Sequence, residues 1–267
     1  MWIFAGLALF MGAYMKPSDV AEHVKQKDWN LLMHAGLIGP DSGPTLIPLL
    51  ENPDSQVREL AVACLAAAGG VPARHGLLKA LRDRVETVRA AAARNLAEHY
   101  QTEDLPKIES ELTSSADPYV REQLSLLLGK SGRTAEIALL TQRFSGERDE
   151  HARHAYSIAM ARLGDQGRRH EWMAHLTAEP PSERVAALRD LPYLNDKSLL
   201  VYILPLLDDV RPGLTVGPSF QPHQIRVCDV AVNQINEMLG KPFPFADPFK
   251  KYSPQEIALV KAAIARP

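Results

Sequence analysis

A repeat of 31 or 32 residues runs through most of the chain and limits the fold more than any other feature of the sequence. The segments Leu46–Leu65 and Leu77–Leu96 align without a gap, so each landmark of the first recurs 31 residues later. A fixed period of this length is typical of arrays in which each unit buries its apolar faces against its neighbours. The apolar residues that mark the same depth in five successive units are Leu65, Leu96, Leu128, Met160 and Leu191.

Each repeat has the pattern of two amphipathic helices joined by a polar turn. Val57, Leu60, Ala61 and Cys64 are spaced as residues on one face of a helix. Between the two apolar stripes lies a turn such as Asn-Pro-Asp-Ser at 52–55, which ends one helix and caps the next. A single pair cannot cover both of its stripes, so neighbouring pairs must stack.

The second helices of the first two repeats start with the motif Val-Arg-x-x-Ala, at 57–61 and 88–92, and the third has it less completely at Val120-Arg121, whereas the later repeats depart from it. This motif resembles the HEAT-like repeats of bacterial proteins, including those related to phycobilisome lyases, over about residues 27–240. The resemblance implies an all-α fold, a right-handed α-solenoid of about six HEAT-type helix pairs. It also implies a scaffold for protein–protein interaction more often than an enzyme.

The array is flanked by two different segments. Residues 1–16 are an apolar N-terminal segment, residues 17–240 form the repeat array, and residues 241–267 form a C-terminal capping loop and helix. The run Trp2–Met15 is shorter than the roughly 20 apolar residues that span a bilayer. It fits a truncated export signal or a short anchor, which slightly favours an exported or membrane-anchored protein over a cytoplasmic one. The alternatives are a capping helix on the first repeat and a chain that starts at Met15.

The connection within the last repeat is the strongest candidate for a binding site. It runs from Asp208 to His223 and is rich in proline and glycine, whereas helix–helix connections usually have two to eight residues. Long ordered loops on rigid scaffolds commonly carry function. We therefore predict that a protein partner contacts Arg211, Phe220 and His223, with simple packing over the last repeat as the alternative.

Arginines recur at the start of the second helices, and two interpretations fit them. They could line one face and bind an anionic or protein partner. The alternative, favoured because the position belongs to the repeat itself, is that each bonds turn groups such as Asn52, Asp83 or Asp117 and links adjacent repeats. The arginines in this series are Arg58, Arg89, Arg121, Arg153 and Arg184, of which the first four are candidate partner contacts.

Charge is unevenly distributed between neighbouring repeats. The second repeat is basic, with cations from Arg74 to Arg94, whereas the third begins acidic, with carboxylates from Glu103 to Asp117. Solvated helix faces explain such runs in most proteins, and a docking surface of complementary charge is the alternative. The net charge is −2, so no general attraction to nucleic acid is expected.

No cofactor or metal site is expected. His151 and His154 share a helix face, but His170 and His175 are five residues apart and point about 140° from each other around a helix. No Ser–His–Asp or Cys–His arrangement is placed by the repeat.

We therefore predict a non-enzymatic scaffold that binds another protein through its concave helices and the 208–223 loop. One alternative is an accessory subunit of an envelope or membrane complex, associated with the membrane through residues 1–15. The other is a HEAT-like enzyme, of the bilin lyase or DNA glycosylase type. A glycosylase would need a basic, aromatic-lined face, which a near-neutral chain with 6% aromatic residues does not favour.

Overall fold

A computed structural model describes residues 14–216, 223–240 and 243–264. These residues form repeated helix pairs and one small β-hairpin. The predicted all-α fold is thus confirmed. The α-helices are α1 (Pro17–Lys25), α2 (Gly43–Leu46), α3 (Ser55–Ala68), α4 (Gly70–Ala80), α5 (Glu86–His99), α6 (Leu105–Ser114), α7 (Pro118–Lys130), α8 (Glu136–Gly146), α9 (Glu150–Arg162), α10 (Gln166–His175), α11 (Pro181–Leu194), α12 (Leu200–Ile203), α13 (Val227–Leu239) and α14 (Pro254–Ile264). The 3₁₀ helices are Trp29–Leu37, Pro40–Ser42, Ile47–Glu51, Thr102–Asp104, Lys197–Leu199 and Leu204–Asp208, and the strands are β1 (Pro212–Val216) and β2 (His223–Arg226).

Aspartates in the turns start the second helices of the repeats, as predicted. The Asp54 side chain accepts a hydrogen bond from the Gln56 backbone N–H at 2.9 Å. Asp117 caps α7 in the same way, by accepting from the Tyr119 N–H at 2.9 Å. These side chains satisfy amide groups that have no partner inside the helix.

Proline explains why the first helix of the pair is irregular in two of the repeats. Pro48 and Pro205 lie in the 3₁₀ segments Ile47–Glu51 and Leu204–Asp208, which continue α2 and α12. A proline inside a helix removes one N–H donor and clashes with the preceding turn. The regular α-helix therefore stops after one turn, and the chain continues with tighter bonding.

The chain forms two compact units. The first comprises the described part of Met1–Ser131 together with Leu139–Tyr156, and the second comprises Gly132–Ala138 and the described part of Ser157–Pro267.

In the first unit, the second helices α3, α5 and α7 contact one another in order, and α4 and α6 contact them in turn. Gly76 shows how close this packing is, because a Cβ built there would lie 2.8 Å from a methyl carbon of Leu65. Ala61 and Ala92 are fully buried and keep the stacked helices close.

In the second unit, helices α11, α13 and α14 surround a single apolar core. The Trp172 indole in α10 donates to the Ala187 carbonyl of α11 at 3.0 Å, which satisfies its one polar group. Across both units, the five landmark residues Leu65, Leu96, Leu128, Met160 and Leu191 are each at most 1% exposed. Their burial confirms the register read from the sequence.

The predicted 208–223 loop is in part a β-hairpin. β1 and β2 pair antiparallel, with Leu214 opposite Ile225 and Thr215 opposite Gln224. Ile225 is buried and Leu214 packs against the core, whereas Thr215 and Gln224 are exposed. This alternation gives the short strands one apolar face, which a flexible loop would not need.

The segment after α13 folds back onto that helix. Asp229 is fully buried and accepts from the Tyr252 backbone N–H at 2.9 Å and from the Arg226 guanidinium at 2.6 Å. Ser253 and Glu256 then start α14 with reciprocal side-chain-to-backbone bonds, as predicted for Ser253. Ile257 and Val260 complete the core of the second unit. The domain boundaries at 16 and 240 stay predictions.

Candidate functional site

Arg58 belongs to the frame of the first unit. Its side chain is 3% exposed, and its guanidinium donates two hydrogen bonds to Asp83 in the next turn, at 2.7 and 2.9 Å. It also donates to the carbonyl oxygen of Asn52, in its own turn, at 2.8 Å. Burial raises the pKa of Asp83, but the bonds from Arg58 and from the Val85 N–H outweigh it, so this carboxyl has a lowered pKa.

Arg89 and Arg121 repeat the same geometry. Arg89 donates to Asp117 at 2.6 Å and to the Asp83 carbonyl oxygen at 2.9 Å. Arg121 donates to both carboxylate oxygens of Glu147, at 2.7 and 2.8 Å. Each carboxylate also accepts from backbone N–H groups that start the following helix. Each of these carboxylates thus connects the arginine of one repeat to the start of a helix in the next repeat.

In the second unit, Arg184 makes one such connection, donating to Asp209 at 2.9 Å and to the Ala178 carbonyl oxygen at 2.5 Å.

Arg153, in the first unit, differs from the other members of the series. Its side chain is exposed, and its guanidinium lies over the Phe144 ring at 4.4 Å from the ring centre. The arginines of the series therefore link repeats at four positions, as the favoured interpretation predicts. Arg153 is the exception, an exposed side chain that packs on Phe144.

Three cations of the basic second repeat, Arg74, Arg82 and Arg89, pair with carboxylates of the acidic third repeat. Arg74 donates to Asp104 at 2.6 Å, and both side chains are nearly buried. Arg82 bridges to Glu111 at 2.6 Å, with Glu111 only 13% exposed. The uneven charge in the sequence thus reflects pairing between neighbouring repeats, an explanation that the sequence interpretation did not include.

The terminal hairpin is fixed to the second unit at its base. Asp209 accepts from Arg184 and also from the Arg211 guanidinium, at 2.9 and 2.8 Å. The hydrogen bond from Arg211 is the main reason why the pKa of Asp209 is lowered. Gly213 lies so close to α11 that a Cβ there would be 2.5 Å from Val185. The backbone N–H groups of residues 227 and 228 donate to carbonyls at 211 and 209, which closes the base.

From this base the hairpin presents a set of exposed side chains. We call them the hairpin surface: the exposed residues Val210, Thr215, His223 and Gln224, together with Arg211, whose side chain is 41% exposed. Val210 is 62% exposed and gives this surface one apolar side chain. Of the predicted contacts, the structure thus brings Arg211 and His223 to one hairpin, and Phe220 lies outside the described residues. Asp209 was missed as an anchor, although its position in the turn matches Asp83 and Asp117 and could have revealed it.

Both cysteines, Cys64 and Cys228, are buried in the described part of the chain. Burial raises the pKa of the Cys64 thiol to about 12 and that of Cys228 to about 11. At neutral pH both are protonated, and a thiol in this state is a poor nucleophile. Among residues 14–216, 223–240 and 243–264, no three His, Cys, Asp or Glu side chains converge on a position that could hold a metal ion. His151 and His154 are exposed.

The apolar segment predicted as an anchor, residues 1–15, lies mostly outside the described residues, which begin at Tyr14. In the described part of the chain, no helix has the length and apolarity needed to cross a bilayer.

Comparison with known proteins places the repeat among HEAT repeats, whose family model matches residues 26–97. The complex of CpcE and CpcF of phycocyanin lyase from a Nostoc species is similar in structure, with a TM-score of 0.54, 18% identity, and coverage of 94% of this chain and 95% of that one. The Escherichia coli protein YibA matches at a TM-score of 0.46 and 16% identity, over 95% of this chain and 98% of that one. Human deoxyhypusine hydroxylase matches at 0.41 and 14%, over 85% and 91%. No curated protein sequence matches significantly. The chain thus has a HEAT-repeat fold, and identities this low carry no information on activity.

Proposed function

We propose that this HEAT-repeat chain is a non-enzymatic scaffold and that it binds another protein through the hairpin surface. The observation that carries the proposal is the combination of a fixed base and an exposed apolar and polar face. Arg184, Asp209 and Gly213 hold the hairpin in place, so binding would cost little ordering of the chain.

The composition of the hairpin surface suits a protein partner. Val210 offers an exposed apolar contact, the Arg211 side chain is 41% exposed, and His223 and Gln224 offer further hydrogen-bonding groups. Apolar contacts beside arginine are typical of protein interfaces. In the matched phycocyanin lyase structure CpcE and CpcF form a complex, a precedent that supports a protein partner for a chain of this fold.

The experiment compares crosslinked partners of the tagged full-length chain, purified from its native cells, with those of two double variants. Val210→Glu/His223→Glu changes the hairpin surface, and Val201→Glu/His170→Glu makes the same chemical changes elsewhere on the second unit. Val201 is 58% exposed and His170 is also exposed, so neither pair disturbs the core. A deletion that includes Asp209 is less suitable, because it would also remove the acceptor of Arg184.

We expect a partner that the wild-type chain and the Val201/His170 variant recover equally and the Val210/His223 variant loses. Equal recovery by all three chains would move the binding site away from the hairpin. Loss in both variants would show that the substitutions act through the fold and not through the surface.

A further inference from the structure

A groove of about 610 Å³ crosses three repeats of the first unit, far in sequence from the hairpin surface. Residues 50–52 of the first repeat form one wall, and Lys107, Ser110 and Glu111 on one face of α6 form the other. Residues 78–84, at the end of α4 and the turn that follows, lie between them. We call this the three-repeat groove. A ligand lying in it would contact three successive repeats, as extended ligands of repeat proteins do.

The three-repeat groove carries an excess of positive charge. Five cations line it, against three carboxylates. The cations are Arg58, Lys79, Arg82, Arg84 and Lys107, and the carboxylates are Glu51, Asp83 and Glu111.

Most of these charges already have partners. Arg58 and Asp83 form the buried pair described above. Lys79 contacts Glu51 at 2.6 Å, with both side chains more than half exposed. Such exposed pairs are weak and exchange readily with other charges.

Two of the cations, Arg84 and Lys107, form no salt bridge with the residues that the structure describes, although the charge of Arg84 helps to lower the pKa of the neighbouring Asp83 carboxyl. Arg84 donates one hydrogen bond, to the Pro53 carbonyl oxygen at 3.1 Å, and its guanidinium has five N–H donors. Lys107 is exposed and has no acidic partner among the residues that the structure describes. The groove thus offers unused N–H donors on positively charged side chains from two different repeats.

A second cavity, of about 780 Å³, adjoins the groove and shares Arg82 and Glu111 with it. Its own charge is reversed, because Glu86, Glu111 and Asp117 outnumber its two arginines. A long polyanion such as nucleic acid would be repelled there, since like charges next to each other cost binding energy. A short anionic segment, confined to the first cavity, would not meet this repulsion.

We propose that the three-repeat groove binds a short acidic segment of a partner protein, with a few aspartate or glutamate side chains paired to Arg84 and Lys107. Lys79 lies beside these cations and exchanges its exposed pair with Glu51 for the ligand, whereas Arg82 keeps its pair with the largely buried Glu111. The groove is a second interaction surface, formed by residues of the first unit, whereas the hairpin surface belongs to the second.

The test measures fluorescence anisotropy of a labelled peptide with four consecutive glutamates, titrated with the full-length chain. A peptide with glutamines in their place and a labelled oligothymidine serve as comparison ligands. Arg84→Gln/Lys107→Gln removes the two cations of the groove that form no salt bridge with the described residues. The matched control is Arg94→Gln/Lys130→Gln, which removes the same charge from exposed positions of the same unit outside the groove. Far-UV circular dichroism verifies that each variant is folded.

We expect the glutamate peptide to bind and the Arg84/Lys107 variant to bind it about tenfold more weakly, because two charge-assisted contacts are lost. The control should stay within about twofold, and raising salt from about 50 to about 300 mM should weaken binding in all chains. Equal affinity for the glutamine peptide or for oligothymidine would overturn the proposal, as would an equal loss in the control or no binding by the wild-type chain. The hairpin variants leave this groove intact, so failure here would not affect the function proposed above.

Discussion

Glu147 should make the stability of the first unit depend on pH, because its carboxylate is paired in the folded state and hydrated in the unfolded state. Two hydrogen bonds from Arg121 are the main cause that lowers the pKa of Glu147 from 4.5 to about 2. Both side chains are largely buried, at 13% and 5% exposure for Arg121 and Glu147. Solvent therefore screens the pair only slightly.

The size and sign of the effect follow from proton linkage. A fall in pKa from 4.5 to about 2 stabilises the folded state by about 3 kcal/mol at neutral pH. Because the folded-state pKa is the lower one, this stabilisation is complete well above pH 4.5 and is lost as pH falls. It should amount to about 2.5 kcal/mol at pH 4 and about 1.5 kcal/mol at pH 3.

The assay is urea unfolding followed by circular dichroism at pH 7, 4 and 3, for the wild-type chain and for Glu147→Gln. Glutamine resembles the protonated glutamate in shape, so the two free energies of unfolding should differ most at pH 7 and approach each other at pH 3. Glu98→Gln removes an exposed carboxylate as the control and should change the free energy by less than about 0.5 kcal/mol at every pH. A Glu147→Gln difference that stays constant from pH 7 to pH 3, or that is below about 0.5 kcal/mol at pH 7, would refute the reasoning.

Three further predictions concern the core and the hairpin. Leu96→Asp should abolish the cooperative melting of the first unit, because Leu96 is fully buried and an unpaired charge there is costly; a melting temperature within a degree or two of wild type would contradict the register. Cys64 and Cys228 should react with a thiol reagent only after denaturant is added, since both are buried with a raised pKa; rapid labelling of the native chain would contradict this. Gly213→Val should destabilise the second unit by about 1–3 kcal/mol in urea unfolding, because even a Cβ there comes within 2.5 Å of Val185, and an unchanged unfolding midpoint would show that the hairpin base can shift.

Much of the repeat geometry could be predicted from the sequence. The 31- or 32-residue period placed the landmarks Leu96 and Leu128, and the structure buries both completely. The turn chemistry predicted that Arg58 would bond Asn52 and Asp83, and it does. Such features are local or recur with the period. The same sequence pattern therefore appears in several repeats, and each occurrence supports the same prediction.

The candidate site was predicted only in part. The length and composition of the 208–223 segment indicated a special connection, but the sequence interpretation expected a loop where the structure has two paired strands. Strand pairing depends on which face of Leu214 and Ile225 meets the core, and that core is assembled from helices distant in sequence. The role of Asp209 as an anchor likewise appears only when Arg184 is placed beside it.

The sequence by itself determined that this chain is an array of helix pairs, because apolar periodicity and turn residues act within about 30 residues of the chain. Only the tertiary structure decided how the charges are used. It paired the basic second repeat with the acidic third, through contacts such as Arg74–Asp104, and within the described parts of the chain it left Arg84 and Lys107 outside any salt bridge. Ion pairs depend on distances of a few ångströms between side chains on different repeats, and these distances are fixed only when the helices stack.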